Sequence, residues 1–469
     1  MCITRFVIMC RPLVVLEVEF LDKRGSYDVV VAGGGVAGVA AAVSAARLGV
    51  NTLLVERYGF LGGLSTAGLV NPFMSSSTSK GEPLVAGFYR DICDRMTSLG
   101  GMRGRAFDPE TMKYVAQEMV LEAGAHLLLH TWVTGARVVG NTLAGIEVLT
   151  KSGTVDIDAR IIIDATGDGD IAAMAGAPFE MGDPENGLTQ AMTLMFTVGG
   201  VDIRKALVYA MNNPEEMRFP KPRSEAEIEH LLEQAVGIAG FYNQVEEARK
   251  KGEFPLPQDL VFFIAMPTPN AVVVNTTHIG GLDGTKSEDL TLGEIEGRRQ
   301  AMALMRFFRK YVPGFESAYI IQTAAQIGVR ETRRIMGEYV FCAEDVVSGR
   351  KFPDPVLRSA YPVDIHCSKG KGYARADDGK QPLAPPSGDW YEVPYRSLVP
   401  LKIDNLLIAG RCLSSTHEGQ AAVRIMPNCM ALGQAAGVAA ALCVNEGVVP
   451  RHLEYSHLRE YLLEQGALV

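Results

Sequence analysis

The chain has 469 residues, a formal net charge of -9 and a pI near 5.5. Its length allows about three domains, and 47% hydrophobic with 21% charged residues is ordinary for a soluble globular protein. The acidic balance argues against a general binder of nucleic acid or anionic membrane.

Residues 1–26, MCITRFVIMCRPLVVLEVEFLDKRGS, are apolar but interrupted by Arg11, Pro12, Glu17 and Glu19. No unbroken apolar run reaches signal-peptide or membrane-span length, so a cytoplasmic protein is expected. Glu17 and Glu19 alternate with Val18 and Phe20, the pattern of an edge strand. The eight cysteines are scattered and no two are separated by only two residues. Reduced thiols are expected, with no metal site and no redox CxxC pair.

Asp28–Ala32 is a short apolar run of the kind a buried parallel strand requires. Gly33, Gly35 and Gly38 follow as G-x-G-x-x-G. The first permits the tight turn, the second lets backbone approach a pyrophosphate, and the third lets the helix pack on the strand. The Ala/Val-rich helix that follows offers first-turn amides at Val36 and Ala37, and a partial positive charge, to phosphates. A second strand, NTLLVE, ends at Glu56, where a carboxylate can bind ribose hydroxyls. Next comes RYGFLGGLSTAG, in which Arg57 is a candidate cofactor contact and Gly62 and Gly63 let backbone run close to a flat group.

A loop at NPFMSSSTSKGEP (71–83) leads to expected helices around 84–96 and 110–123. The apolar run 126–140 and strands at 143–150 and 155–158 then lead to ARIIIDATGDGD. Residues 181–395 change character, mixing strands with charged helical segments at 225–251 and 288–311. From about 396 the earlier style returns, with strand NLLIAG (405–410) and a small-residue helix at 428–444. These features predict an α/β protein with a Rossmann-like nucleotide-binding domain made from residues 27–180 and 396–469. An inserted α+β substrate domain (181–395) would sit between those halves, and residues 1–26 would form an N-terminal extension.

Further βα units do not follow Glu56 directly, and site-like elements recur at ATGDGD and NLLIAGRCLSST. That suits an extended FAD better than NAD. Together with GVRETRRIMGEY, PVDIH, EVPYRSLVP and the C-terminal THEGQAAVRIMPNCMALGQAAG, these motifs resemble the two-dinucleotide-binding-domain flavoproteins. The chain is most similar to the FAD-dependent oxidoreductase family related to the flavin subunit of heterodisulfide reductase. The resemblance implies FAD, with Glu56 on the adenosine ribose and Gly33, Gly35 and Gly38 at the pyrophosphate. It further implies adenine at Val133, cofactor contacts at Ala165, Thr166 and Gly167, and Gly410 and Arg411 near the phosphate–ribityl portion. The helix starting near Asn428 would point at the flavin. Closely spaced iron–sulfur cysteines of heterodisulfide reductase subunits have no counterpart here.

Four candidate catalytic residues come from the insertion and its junctions. GVRETRR brings Arg330, Arg333 and Arg334 together, on one face if helical. Arg330 and Arg334 are candidates for an anion clamp, against pairing with Glu331 and Glu338. PVDIH places Asp364 and His366 at alternate positions of an extended segment, where an Asp-oriented imidazole can serve as acid or base. STHEGQAAVR offers His417, Glu418 and Arg424 after the last strand, a location that favours an active-site role over His417 capping or bracing the loop. Tyr395 and Arg396 are weaker candidates, and Cys412 and Cys429 read as packed apolar thiols.

The expected protein is therefore an FAD oxidoreductase performing two-electron chemistry on a small polar or anionic substrate. Dehydrogenation and C=C reduction both suit the layout. An unidentified electron acceptor is needed, a homo-oligomer is allowed, and neither nucleic acid nor membrane is an expected partner. The competing readings are an electron-transfer subunit with an iron–sulfur partner, and a non-catalytic flavin sensor.

Overall fold

The structure is a computed structural model that describes residues 6–8, 16–18, 24–369 and 383–469. Cys2, Cys10, Glu19, Phe20 and the start of QPLAPPSGDW lie outside the described residues. Phe6–Ile8 pairs antiparallel with Leu16–Val18 in a separate two-stranded ribbon, so the expected edge strand does not border the main sheet.

The chain forms an α/β Rossmann-like fold around a parallel sheet. Strand β1 (Arg24–Ala32) leads into helix α1 (Val36–Ala46) and strand β2 (Thr52–Val55). β2 pairs parallel with β1 on one side and with His126–Leu128 on the other. Strand β3 (Gly153–Asp164) lies parallel to β1, and β4 (Leu406–Ile408) returns from the far end of the chain to pair parallel with β3. Val29, Val30, Val31 and Ala32 are fully buried because helices or chain cover both faces of these strands. A meander of Trp132–Val139 and Thr142–Thr150 extends the sheet through the first half of β3.

Helix α2 (Met426–Glu446) lies against α1. A Cβ at Gly433 would stand 2.0 Å from the Ala37 carbonyl oxygen, and one at Gly437 would stand 2.2 Å from that of Ala41. The two helices therefore touch backbone to backbone, which small residues alone permit. α2 is long and apolar, yet it is the buried core helix of this fold.

A second sheet of six strands is antiparallel throughout, in the order 217–219, 237–240, 261–265, 272–274, 196–199, 319–323. Helix Ser287–Tyr311 packs near it, and a Cβ at Gly297 would meet Leu194 at 2.6 Å. The expected helical segment 225–251 is instead two helices, Glu225–Glu233 and Tyr242–Lys250, split by strand Gly237–Gly240. Glycines at both ends of that strand break the helix, and pairing with Val261–Ala265 satisfies its backbone. GVRETRR is not helical either. Its end forms the strand Arg333–Ile335, paired with Phe179–Met181.

Candidate functional site: a dinucleotide groove opening beside a large cavity

The groove begins at the C-terminal end of β1. Gly33 has φ +98, and a Cβ there would stand 2.4 Å from the Ala165 carbonyl oxygen. Gly35 differs, because a Cβ there meets only the Gly63 Cα at 3.9 Å and otherwise points into the groove. Gly38 does not line the groove. It packs the helix on the turn, with a hypothetical Cβ 1.8 Å from the Gly33 carbonyl oxygen. α1 has no side-chain cap and no acid in its first turn, so amides at Val36 and Ala37 face a groove they both line. Gly62 and Gly63, at φ +107 and +56, run the following loop beside Gly35.

Glu56 lies at the end of β2 and is 5% exposed. Its two carboxylate oxygens accept from Gly34 N at 2.6 Å and Tyr58 N at 2.8 Å. Burial raises its pKa while these two amides oppose the rise. Arg57 lies over the rings of Tyr58 and Trp132, 5.0 and 5.1 Å from their centroids. Val133, Ala165, Thr166 and Gly167 line the same groove. Thr166 Oγ1 donates to the buried Asp164 at 2.7 Å, whose pKa burial pushes up to about 6. Gly410 and Arg411 complete the wall, with Arg411 paired to Asp168 at 2.7 Å.

This cradle fits FAD. It combines free first-turn amides, an open face at Gly35 and a carboxylate at the end of β2, with backbone from three distant segments. Asn428 departs from expectation. It is fully buried and donates to Ser359 Oγ at 3.0 Å, while Met426 and Cys429 of the same turn line the groove. On a helix, residue 428 lies roughly 200° round from residue 426, which turns it away.

Beyond the groove is a cavity of about 1370 Å³. Leu64, Arg411, Arg424 and Met426 line both spaces, so a ring at that end of the groove would face the cavity. Asp364 organises the polar cluster nearby. It accepts from Tyr361 Oη at 3.0 Å, and its carbonyl oxygen accepts from Arg424 Nη2 at 2.8 Å. His366 Nε2 lies 3.4 Å from Asp364 Oδ2. Burial first, and then the Arg330 charge, push the His366 pKa down to about 4. The His366, Arg424 and Tyr361 groups hold Asp364 well below the usual carboxylate range despite its burial. Arg330 Nη1 donates to the Ala191 carbonyl oxygen at 2.5 Å and to Thr193 Oγ1 at 2.8 Å.

His366 and Arg330 thus line the cavity, whereas Arg334 and His417 line neither space. Both are buried on Glu331. His417 Nδ1 lies 2.9 Å from Glu331 Oε1, and Arg334 pairs with the same carboxylate while donating to the Ser415 and Gly182 carbonyls. Strand alternation is the reason: Arg334 faces inward, while Arg333 faces Asp170 at 2.8 Å. Tyr395 donates to the Pro450 carbonyl and Arg396 pairs with Asp354, both away from the site. Burial pushes the Cys429 thiol up to about 12 and Cys412 well above its ordinary value, so neither is a ready thiolate.

Sequence reasoning missed a niche of about 10 Å³ behind Arg330 and His366, lined also by Gln258, Asn275 and His278. Gln258 Oε1 and His278 Nε2 are buried there without a hydrogen-bond partner. Burial, with the Arg330 charge, pushes the His278 pKa down to about 4. The available signal was the polar run Asn275–His278 directly after the apolar strand Val272–Val274.

Solved structures that match this chain do so at low identity. A geranylgeranyl bacteriochlorophyll reductase-like protein from Thermoplasma acidophilum is 15% identical, with a TM-score of 0.43 covering 95% of this chain and 84% of that one. The p-nitrophenol 4-monooxygenase of Pseudomonas putida is 11% identical, with a TM-score of 0.45 over 94% and 84%. The L-proline dehydrogenase of P. horikoshii is 13% identical, with a TM-score of 0.41 over 95% and 100%. No curated protein matches the chain. The family described as FAD dependent oxidoreductase matches residues 28–462, and the chain belongs to that family.

Proposed function

We propose that the protein dehydrogenates an anionic substrate held in the large cavity, with His366 as proton acceptor and Arg424 and Arg330 orienting the anion. One relationship carries this reading: Leu64, Arg411, Arg424 and Met426 form a wall common to the dinucleotide groove and the cavity that holds His366. Bound FAD would supply the two-electron acceptor. The glycine turn, the α1 amides and Glu56 would hold it, and the N-terminal end of α2 at Met426 favours negative charge beside the shared wall.

His366 is neutral in the free protein because its pKa is depressed to about 4. A neutral imidazole accepts a proton, which favours dehydrogenation over C=C reduction. If the Nε2 hydrogen faces Asp364 Oδ2, 3.4 Å away, Nδ1 is the basic nitrogen. A substrate C–H would leave with its electron pair while the adjacent O–H or N–H proton passes to His366. A carboxylate beside Arg330 offsets the charge that depresses His366, so substrate binding strengthens the base it needs.

In this reading the insertion 181–395 supplies the substrate walls, and the protein works in the cytoplasm with a separate electron acceptor. The order of sequence motifs also supports kinship with the heterodisulfide-reductase flavin subunits. Anaerobic mixing of the FAD-loaded protein with hydroxy acids, amino acids and sugars tests the reaction. Bleaching of the flavin by an anionic member is expected, and no bleaching by any member would overturn the reading.

A further inference from the structure

We infer that the substrate is an amphipathic carboxylate whose apolar arm lies along the six-stranded sheet and whose charged end meets Arg424 and His366. This rests on the reading of the cavity as the substrate site. It replaces the small polar molecule expected from the sequence by a larger, two-ended one.

The second sheet presents a built trough. Gly237 pairs opposite Ile264, and Ala239 opposite Phe262, so one small and one large residue stand together in each cross-strand pair. All four line the cavity. Ile238, between the two small residues, is fully buried on the other face of the sheet. Strand alternation thus turns Ile238 into the core and leaves Ala239, Phe262 and Ile264 as an apolar trough lining on the cavity side, with the Phe262 ring lying against Gly237. Leu231 and Val236 continue this surface from the neighbouring helix and turn. The cavity volume, about 1370 Å³, exceeds that of ordinary small-ligand sites, which run to roughly 1,000 Å³.

The opposite end has a different chemistry. Arg424 is largely buried, lines both spaces and holds its Nε without a hydrogen-bond partner. The charge of this guanidinium on the cavity wall favours an anionic group at that end of the ligand. His366 lies in the same cluster, and the adjoining niche presents the unpartnered Gln258 Oε1 and His278 Nε2. A ligand polar at one end and apolar along its length matches both surfaces.

The test is calorimetric titration of the FAD-loaded protein with butanoate, hexanoate, octanoate and decanoate, and with the matching 1-alkanols. Each added methylene should tighten carboxylate binding about two- to four-fold while the arm still lies in the trough. The alkanols should bind more weakly at every length. Phe262→Asn and Leu231→Ser, checked for unchanged melting and FAD content, should flatten the dependence on length. Flat affinity across the carboxylates, or equal binding of alkanols, would overturn the inference. If the series is flat while a short hydroxy acid still bleaches the flavin, the catalytic reading survives and this one fails.

Discussion

Glu331 Oε1 lies 2.9 Å from His417 Nδ1 in a site where the glutamate is wholly buried, and Arg334 closes on the same carboxylate. Gln190 N donates to its other oxygen at 3.0 Å. These groups tie segments 182–190, 331–334 and 415–417 together without lining the cavity. Arg334→Ala leaves a buried carboxylate with less compensation and should lower stability by about 3–5 kcal/mol. Denaturant unfolding measures this. An unchanged midpoint together with slowed flavin reduction would instead make Arg334 a substrate contact.

Two glycine variants should separate cofactor binding from folding. Gly35 has φ -67, which any residue adopts, and its Cβ direction is open apart from Gly63 at 3.9 Å. Gly35→Leu should therefore fold normally but fill the cradle and lose FAD. Gly38→Leu should lose the fold itself, because its Cβ would overlap the Gly33 carbonyl oxygen at 1.8 Å. Circular dichroism and bound-flavin absorbance distinguish the two losses, and full flavin content in Gly35→Leu would contradict the groove assignment.

The groove was legible because its parts are local: strand, glycines, helix and acid follow one another within a short stretch. The groove contacts at Ala165–Gly167 and Gly410–Arg411 required the family resemblance, since β3 and β4 reach β1 only through the sheet. The catalytic half was legible only in part. Arg330 and Arg334 are close in sequence, but the strand and its preceding loop send one to the cavity and the other to Glu331. His278 gave only a polar run after a strand, and its convergence with His366 depends on the distant segment at 366 bonding to Gln190 and Ala191.

His366 and His278 should also set the acid stability of the fold. Both have folded pKa values pushed down to about 4, against about 6.5 in an unfolded chain. Between those values the unfolded chain binds more protons, so their stabilising contribution is full above pH about 6.5 and fades as pH falls toward 4. For His366 the facing charges are Arg330, Asp364 and Arg424, of which only Asp364 opposes the shift. His278→Gln should give a shallower fall in melting temperature across this window than the wild type. An unchanged slope would mean that His278 titrates in the folded protein as it does in the unfolded chain.

Anion binding should draw a proton into the site. A carboxylate near Arg330 raises the His366 proton affinity, so octanoate binding at about pH 5.5 should be accompanied by proton uptake. Calorimetry in two buffers of different ionisation enthalpy reads the uptake directly. It should vanish in His366→Gln, and uptake that persists there would assign the proton to another group.

The role of His366 as acceptor of the substrate proton belongs to the cavity, beside the wall shared with the groove. It is tested most directly by anaerobic rapid mixing of wild-type and His366→Gln holoprotein with a carboxylate substrate that bleaches the wild-type flavin. Equal FAD content is expected in both proteins, with a flavin reduction rate about 10²–10⁴-fold lower in the variant. Reduction of the variant at the wild-type rate would contradict it.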